Sequence, residues 1–188
     1  MQIILASASP RRRELLGHLG LTFAVHAANV DERVAEPLSP AVLVEHLAAI
    51  KAAAVVDTYP DHLIIGADTI VVIDGEILGK PVDRDHAIAM LSRLQGREHQ
   101  VLTGIALRQG ERSVVAHEET VVRFRPLTIG EIERYVDSGD PMDKAGAYGI
   151  QGRAGAMIEG IQGDYFNVVG LPLCRLVQLL SSFGVTVL

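Results

Sequence analysis

The spacing of apolar residues switches between strand-like and helix-like periods along this chain, and the switches mark its elements. Gln2–Ala6 (QIILA) is an unbroken apolar run ending at SASP, which predicts a buried strand entering a loop. In RRRELLGHLG, Leu15, Leu16 and Leu19 share one helical face, with Ser9 as N-cap and Pro10 at the first helical position. A second strand is predicted over Thr22–Ala27. Ser39 and Pro40 then open a long helix whose apolar face is read as Val42, Leu43, His46, Leu47 and Ile50, with Lys51 near its middle. LIIGADTIVVI (63–73) is too continuously apolar for a half-exposed strand and predicts a central one, returning through the Asp74-Gly75 hairpin turn into EILGKP. Asp83 caps a helix to Leu94. Two long strands follow, about His99–Arg108 and Ser113–Arg125, joined at Gln109-Gly110. Thr128 and Glu131 form a capping box for a helix to Val136. DKAGAYGIQGRAG is a backbone-rich loop, Ala156–Glu159 a last strand, GDYFNVVGLP a turn, and Pro172–Phe183 an amphipathic helix. The alternation predicts a mixed α/β chain in one domain, with at least one long antiparallel pair.

Composition narrows the class. At 188 residues and 48% apolar content, the chain buries roughly 70% of its extended surface, enough for a true core. It has no run of about 18 apolar residues, and its first charges follow the apolar stretch, the wrong order for a signal peptide. A soluble, cytoplasmic protein without a membrane partner is therefore expected. Cys174 is the only cysteine, which removes intramolecular disulfides, multi-cysteine zinc sites and CxxC redox chemistry; within LPLCRLVQLL it reads as packing. A formal charge of −6 argues against a general nucleic-acid binder, yet it allows one small polyanion in a local basic site. Arginine supplies 14 of the 17 basic side chains, leaving only Lys51, Lys80 and Lys144. Codon bias explains that ratio by itself.

Several residue groups carry candidate chemistry. SASPRRRELL sets hydroxyls and three arginines at a helix N-terminus, which reads either as a capped helix with solvated arginines or as a phosphate site. Asp68, inside an apolar strand, must meet a cation, a metal or hydrogen-bond donors. Asp31, Glu32 and Asp164 sit in polar segments and are solvated by default. Lys80, in GKP, is a weak signal alone. Taken together, carboxylates (Glu32, Asp68, with Asp164 as a further candidate) and cations (Arg11, Arg12, Lys51, Lys80, Lys144) at element ends suit Mg²⁺ or Mn²⁺ with a polyphosphate, and so metal-assisted hydrolysis of a phosphoanhydride. The chain lacks GxxxxGK[ST], GxGxxG, HExxH and GxSxG, which disfavours P-loop, dinucleotide, zinc-protease and α/β-hydrolase chemistry.

LASASPRRRELL, VDE (30–32), Lys51 in a helix, IIGADTIVV, GEILGKP, DKAGAYGIQGRAG and GDYFNVVGLPL, in this order over essentially the whole chain, resemble the Maf family of nucleoside triphosphate pyrophosphatases. The resemblance implies an α/β fold in which a long twisted mixed sheet divides two lobes around a cleft, similar to the inosine triphosphate pyrophosphatases. It implies hydrolysis between the α and β phosphates with a divalent metal, Mg²⁺ or Mn²⁺. By motif, Asp68 matches the family's proposed proton acceptor and Ser7, Arg12, Glu32, Lys51 and Lys80 match its polar site residues; Asp68, with Glu32, is placed to hold the metal, to take the water's proton, or both. Arg11, Thr69 and Gln151 resemble the subgroup acting on dTTP and UTP, where a sister subgroup acting on N7-methyl-GTP would carry Trp, Gln and Glu. An amide such as Gln151 pairs both the carbonyl and the N–H of a uracil-type edge. The resemblance also brings a rival reading, a regulatory binding protein of cell division, and leaves a homodimer open. Compact ammonium groups at Lys51 and Lys80 would fit between phosphate oxygens where a guanidinium fork is too large.

Overall fold

In the computed structural model, which describes residues 2–188, seven strands form one mixed sheet. β1 (Ile3–Leu5) pairs in parallel with β2 (Phe23–Val25) and with β3 (Leu63–Ile73), Leu5 lying opposite both Val25 and Ile65. β4 (Glu76–Leu78) returns antiparallel along β3. The turn between them holds Asp74 and Gly75 at φ 53° and 77°, the two left-handed positions that favour Asp-Gly in a two-residue hairpin. β5 (Glu98–Gln109), β6 (Arg112–Phe124) and β7 (Ile158–Gln162) complete the order β2-β1-β3-β5-β6-β7, with β7 antiparallel to β6. The continuous apolar run 63–73 thus sits in the interior of the sheet, as its composition requires.

Helices α1 (Pro10–His18), α2 (Pro40–Val56), α3 (Arg84–Leu94), α4 (Ile129–Val136), α5 (Tyr165–Val169) and α6 (Leu173–Ser182) fill the intervals. Ser9 accepts from the Arg12 amide and Asp83 from the His86 amide. The α4 capping box is complete. Bonds from Arg125 and from the Thr128 backbone and hydroxyl hold the Glu131 carboxyl down to about 2.

The chain divides into two compact units. The first comprises the described residues through Asp68, with Thr103–Glu118 and Gly170–Leu188; the second comprises Thr69–Leu102 and Glu119–Val169. In the first, Ala48, Ala52 and Val55 of α2 pack with Ile4, Ala6, Ile64 and Ala106. The helix lies unusually close to the sheet: a Cβ on Gly66 would stand 2.3 Å from the Ala48 carbonyl oxygen, and one on Gly104 would stand 2.1 Å from that of Val44. In the second unit, α3 and α4 cover Val71, Ile73, Val101, Val122 and Phe124.

Four sequence expectations need correction. The buried face of α2 is Val44, Leu47, Ala48, Ala52 and Val55, while Val42 is 48% exposed and His46 faces solvent. The helix is apolar around most of its circumference, so periodicity cannot phase it; the small alanines, which allow the close approach, decide the face. Residues 152–157 form a 3₁₀ segment that buries Ala154 and Met157, and this pushes the last strand on to Ile158–Gln162. DYFNVV is a short helix rather than a turn: Asp164 accepts from the Phe166 amide, and buried Asn167 donates to the Val101 carbonyl and the Thr120 hydroxyl. Cys174 is exposed, because Leu173, Leu176 and Leu180 take the buried face of α6. No helix among the described residues is long and apolar enough to cross a membrane.

His99 of β5 is 3% exposed, and burial pushes its imidazole down to about 4. An unfolded chain, with His99 near 6.5, takes up a proton that the folded chain refuses until about pH 4. The contribution is therefore complete above pH 6.5 and lost as pH falls towards 4, a loss of about 3 kcal/mol. Urea unfolding at pH 7 and pH 4 should show this drop in the wild type and a correspondingly smaller one in His99→Gln. Equal drops in the two proteins would remove His99 as its source.

Candidate active site

The parallel pair β1–β3 places the ends of its strands where open α/β sheets collect ligands. Ser7 lies just beyond β1, and Arg12 lies in the first turn of α1. Asp68 is three residues past Ile65, the partner of Leu5 on β3. Alternation along β3 puts Gly66 and Asp68 on the same face, the face against which α2 packs Ala48 and Ala52. Lys51, on the same side of α2, is thereby delivered to Asp68.

Lys51 Nζ donates to Asp68 Oδ1 at 2.6 Å and lies 2.8 Å from Glu32 Oε1. Lys51 and Asp68 side chains are each 13% exposed and Glu32 is 55% exposed, so one ammonium joins a sheltered carboxylate to an accessible one. Glu32, expected to be solvated by default, is instead a member of the cluster; its neighbour Asp31 is the exposed residue, paired with Arg33. Arg12 Nε donates to the Gly170 carbonyl at 2.9 Å and its Nη1 to Ser7 Oγ at 3.3 Å. Burial lowers the Arg12 guanidinium from its ordinary value; Asp68 opposes that shift, Arg11 adds to it and Glu32 opposes it. Ser7, Arg11, Arg12, Glu32, Lys51 and Asp68 thus form one electrostatic group within the first unit.

Thr69, Lys80 and Gln151 belong to the second unit. Thr69 follows Asp68 on β3 and is half-buried; Lys80 is exposed; Gln151 is half-buried and precedes the 3₁₀ segment. Gly146 N–H donates to the Gly79 carbonyl, tying the glycine-rich loop to the segment that carries Lys80. Lys144, grouped by sequence with the phosphate-facing cations, is engaged by Asp143 at 2.7 Å and Asp140 at 3.1 Å, and its stem lies where a Cβ on Gly149 would go. The sequence reading missed Gly66, Gly104 and the His99–Tyr148 pair. A glycine inside an apolar strand is the available signal for the first two, since it marks a close backbone approach.

The donor set suits a small hard cation. No group of three or more His, Cys, Asp or Glu side chains able to hold an ion exists among the described residues, so there is no all-protein cage. Two carboxylates converging on one ammonium match the way Mg²⁺ is held, by one or two carboxylates, waters and substrate phosphates. The residues present fit such an ion.

Fold and site together define a mixed α/β protein with an acid–base cluster beside two parallel strands. Residues 2–183 match the family of Maf-like proteins, and the chain belongs to that family. It is 62% identical over 183 residues to a protein of Symbiobacterium thermophilum named dTTP/UTP pyrophosphatase, covering 97% of this chain and 94% of that one. Relatives of the same name from Pelotomaculum thermopropionicum and Bacillus pumilus are 54% and 48% identical, covering 100% and 98% of this chain and 99% and 98% of theirs. A solved structure of the Staphylococcus aureus Ham1 protein covers 97% of both chains with a TM-score of 0.54 at 15% identity, a likeness of fold.

Proposed function

We propose that this protein hydrolyses dTTP and UTP to the nucleoside monophosphate and pyrophosphate. The observation that carries this reading is the Lys51 ammonium set between Asp68 and Glu32, in the electrostatic group that includes the half-buried Arg12. The names of relatives that match the chain over nearly its whole length support the substrate.

A water attacks the α-phosphorus in line, its oxygen forming the new P–O bond as the bond to the β-phosphate oxygen breaks, and pyrophosphate leaves with that electron pair. Asp68 accepts the proton released by the water. Lys51 holds the Asp68 carboxylate in place, and Arg12 and Lys80 offset charge that develops on the departing pyrophosphate. Glu32 and Asp68 would hold the Mg²⁺ or Mn²⁺ ion, which when bound neutralises phosphate charge and orients the triphosphate. Gln151 reads the pyrimidine edge, with Arg11 and Thr69 completing the preference. The cytoplasm, where nucleoside triphosphates are held, is the place of action.

The direct test supplies UTP, dTTP, CTP, GTP and N7-methyl-GTP with Mg²⁺ or Mn²⁺ and quantifies pyrophosphate, orthophosphate and monophosphate. Pyrophosphate and monophosphate in equal amounts, fastest with dTTP and UTP, are expected. Orthophosphate as the first product would sink the α–β cleavage, and preference for N7-methyl-GTP would sink the roles of Arg11, Thr69 and Gln151.

A further inference from the structure

Within the second unit, a buried polar pair has no part in the chemistry above. His99 Nε2 lies 2.7 Å from Tyr148 Oη, both side chains are about as buried as the apolar core around them, and His99 Nδ1 has no hydrogen-bond partner among the described residues. The two rings meet edge to face at 5.3 Å, and Phe124 closes the group at 4.8 Å from Tyr148 and 5.1 Å from His99. Apolar side chains at both positions together would fill this space without burying an unmet ring nitrogen. Keeping the polar pair therefore costs stability, and what it supplies is a directional contact that apolar packing lacks.

That contact bears on one place, the loop Lys144–Gln151. Gly146 is fixed by its bond to the Gly79 carbonyl and by Val71, 2.9 Å from where its Cβ would stand. Tyr148, two residues on, is fixed by His99, and Gly149 rests on the Lys144 stem. Gln151 is the first polar side chain after these anchors. Aromatic packing alone lets a ring slide along its pocket; the Oη–Nε2 bond sets how deep Tyr148 sits, three residues before Gln151.

We propose that His99 and Tyr148 are positioning residues for base selection, acting through Gln151. The inference rests on the assignment of Gln151 as the group that reads the pyrimidine. Their bond fixes the loop that presents the amide, so removing it loosens recognition of the base and leaves phosphate chemistry alone.

Loss of stability and loss of position can be separated. Tyr148→Phe or His99→Leu alone leaves a buried polar partner unpaired and destabilises the fold, whereas the double variant removes both partners and restores much of the stability. A purely structural role predicts that base preference recovers with it. The positioning role predicts that the double variant still shows a UTP-to-ATP kcat/KM ratio about 10-fold below wild type, through KM with kcat for UTP unchanged. His99→Gln, which can keep a bond to Tyr148 Oη, retains the preference. Adding the double substitution to Gln151→Ala should change the ratio no further, as expected for residues acting through one another. A wild-type ratio in the double variant overturns the proposal. Gln151→Ala measured alone distinguishes the causes: an unchanged ratio there sinks the base-reading assignment and the proposal with it, while a lowered ratio there beside an unaffected double variant sinks only the anchor.

Discussion

Asp68→Asn is expected to release pyrophosphate from UTP about 10³-fold more slowly than the wild type, the range set by loss of a positioned general base, while folding nearly as well. An asparagine has the same shape, and its amide oxygen still accepts from Lys51 Nζ, now 2.6 Å from Asp68 Oδ1. It cannot take a proton from water at neutral pH. The change also removes one of the two carboxylates that share Lys51, leaving Glu32 at 2.8 Å to satisfy the ammonium, so no buried cation is stranded. Steady-state pyrophosphate release at saturating nucleotide and Mn²⁺, with thermal unfolding as control, reads the two effects separately. A raised Mn²⁺ requirement marks Asp68 as a metal ligand, and a lowered kcat at an unchanged requirement marks it as the proton acceptor. Turnover within tenfold of wild type would remove Asp68 from the chemistry.

The pieces of this site differ in how far the sequence foretold them, and the difference follows the range of the forces involved. Ser9-Pro10, Asp83 and Thr128–Glu131 were legible because a cap is closed by atoms three residues away, and the bonds form as expected. Asp74-Gly75 was legible because only certain residues tolerate two successive positive φ angles. Asp68 announced itself through the cost of a carboxylate in an apolar strand, yet nothing local named its partner, which lies 17 residues away on α2. Glu32 carries no local signal of its own for the same reason: its neighbours in sequence are polar, so only its grouping with Asp68 and the family motif point to it, and its neighbour in space is Lys51. Periodicity misplaces the buried face of α2 because apolar residues surround the helix, and no local pattern announces that Lys144 pairs with Asp140 and Asp143 of its own loop. Sequence patterns report hydration and local closure; which distant surfaces meet is decided by how closely two backbones can approach.

That last quantity can be changed one carbon at a time. Gly66→Ala is expected to cost about 3 kcal/mol, at the upper end for forced overpacking, and to lower the midpoint of thermal unfolding by roughly 10 °C for a chain of this length. The added Cβ would stand 2.3 Å from the Ala48 carbonyl oxygen and 2.9 Å from the Ala52 amide nitrogen, both backbone atoms with no flexible end to turn aside. Relief must come from α2 lifting off β3. Lys51 lies on the lifted turns and Asp68 two residues beyond Gly66, so the 2.6 Å contact between them opens and kcat for UTP falls with stability. Gly17→Ala is the control: in α1 a Cβ there meets nothing within 4 Å, and alanine stabilises a helix interior by roughly 0.5–1 kcal/mol. Thermal melts and UTP turnover of the two variants therefore move apart. If Gly66→Ala melts and turns over like the wild type, the close seating of α2 on β3 is not what brings Lys51 to Asp68.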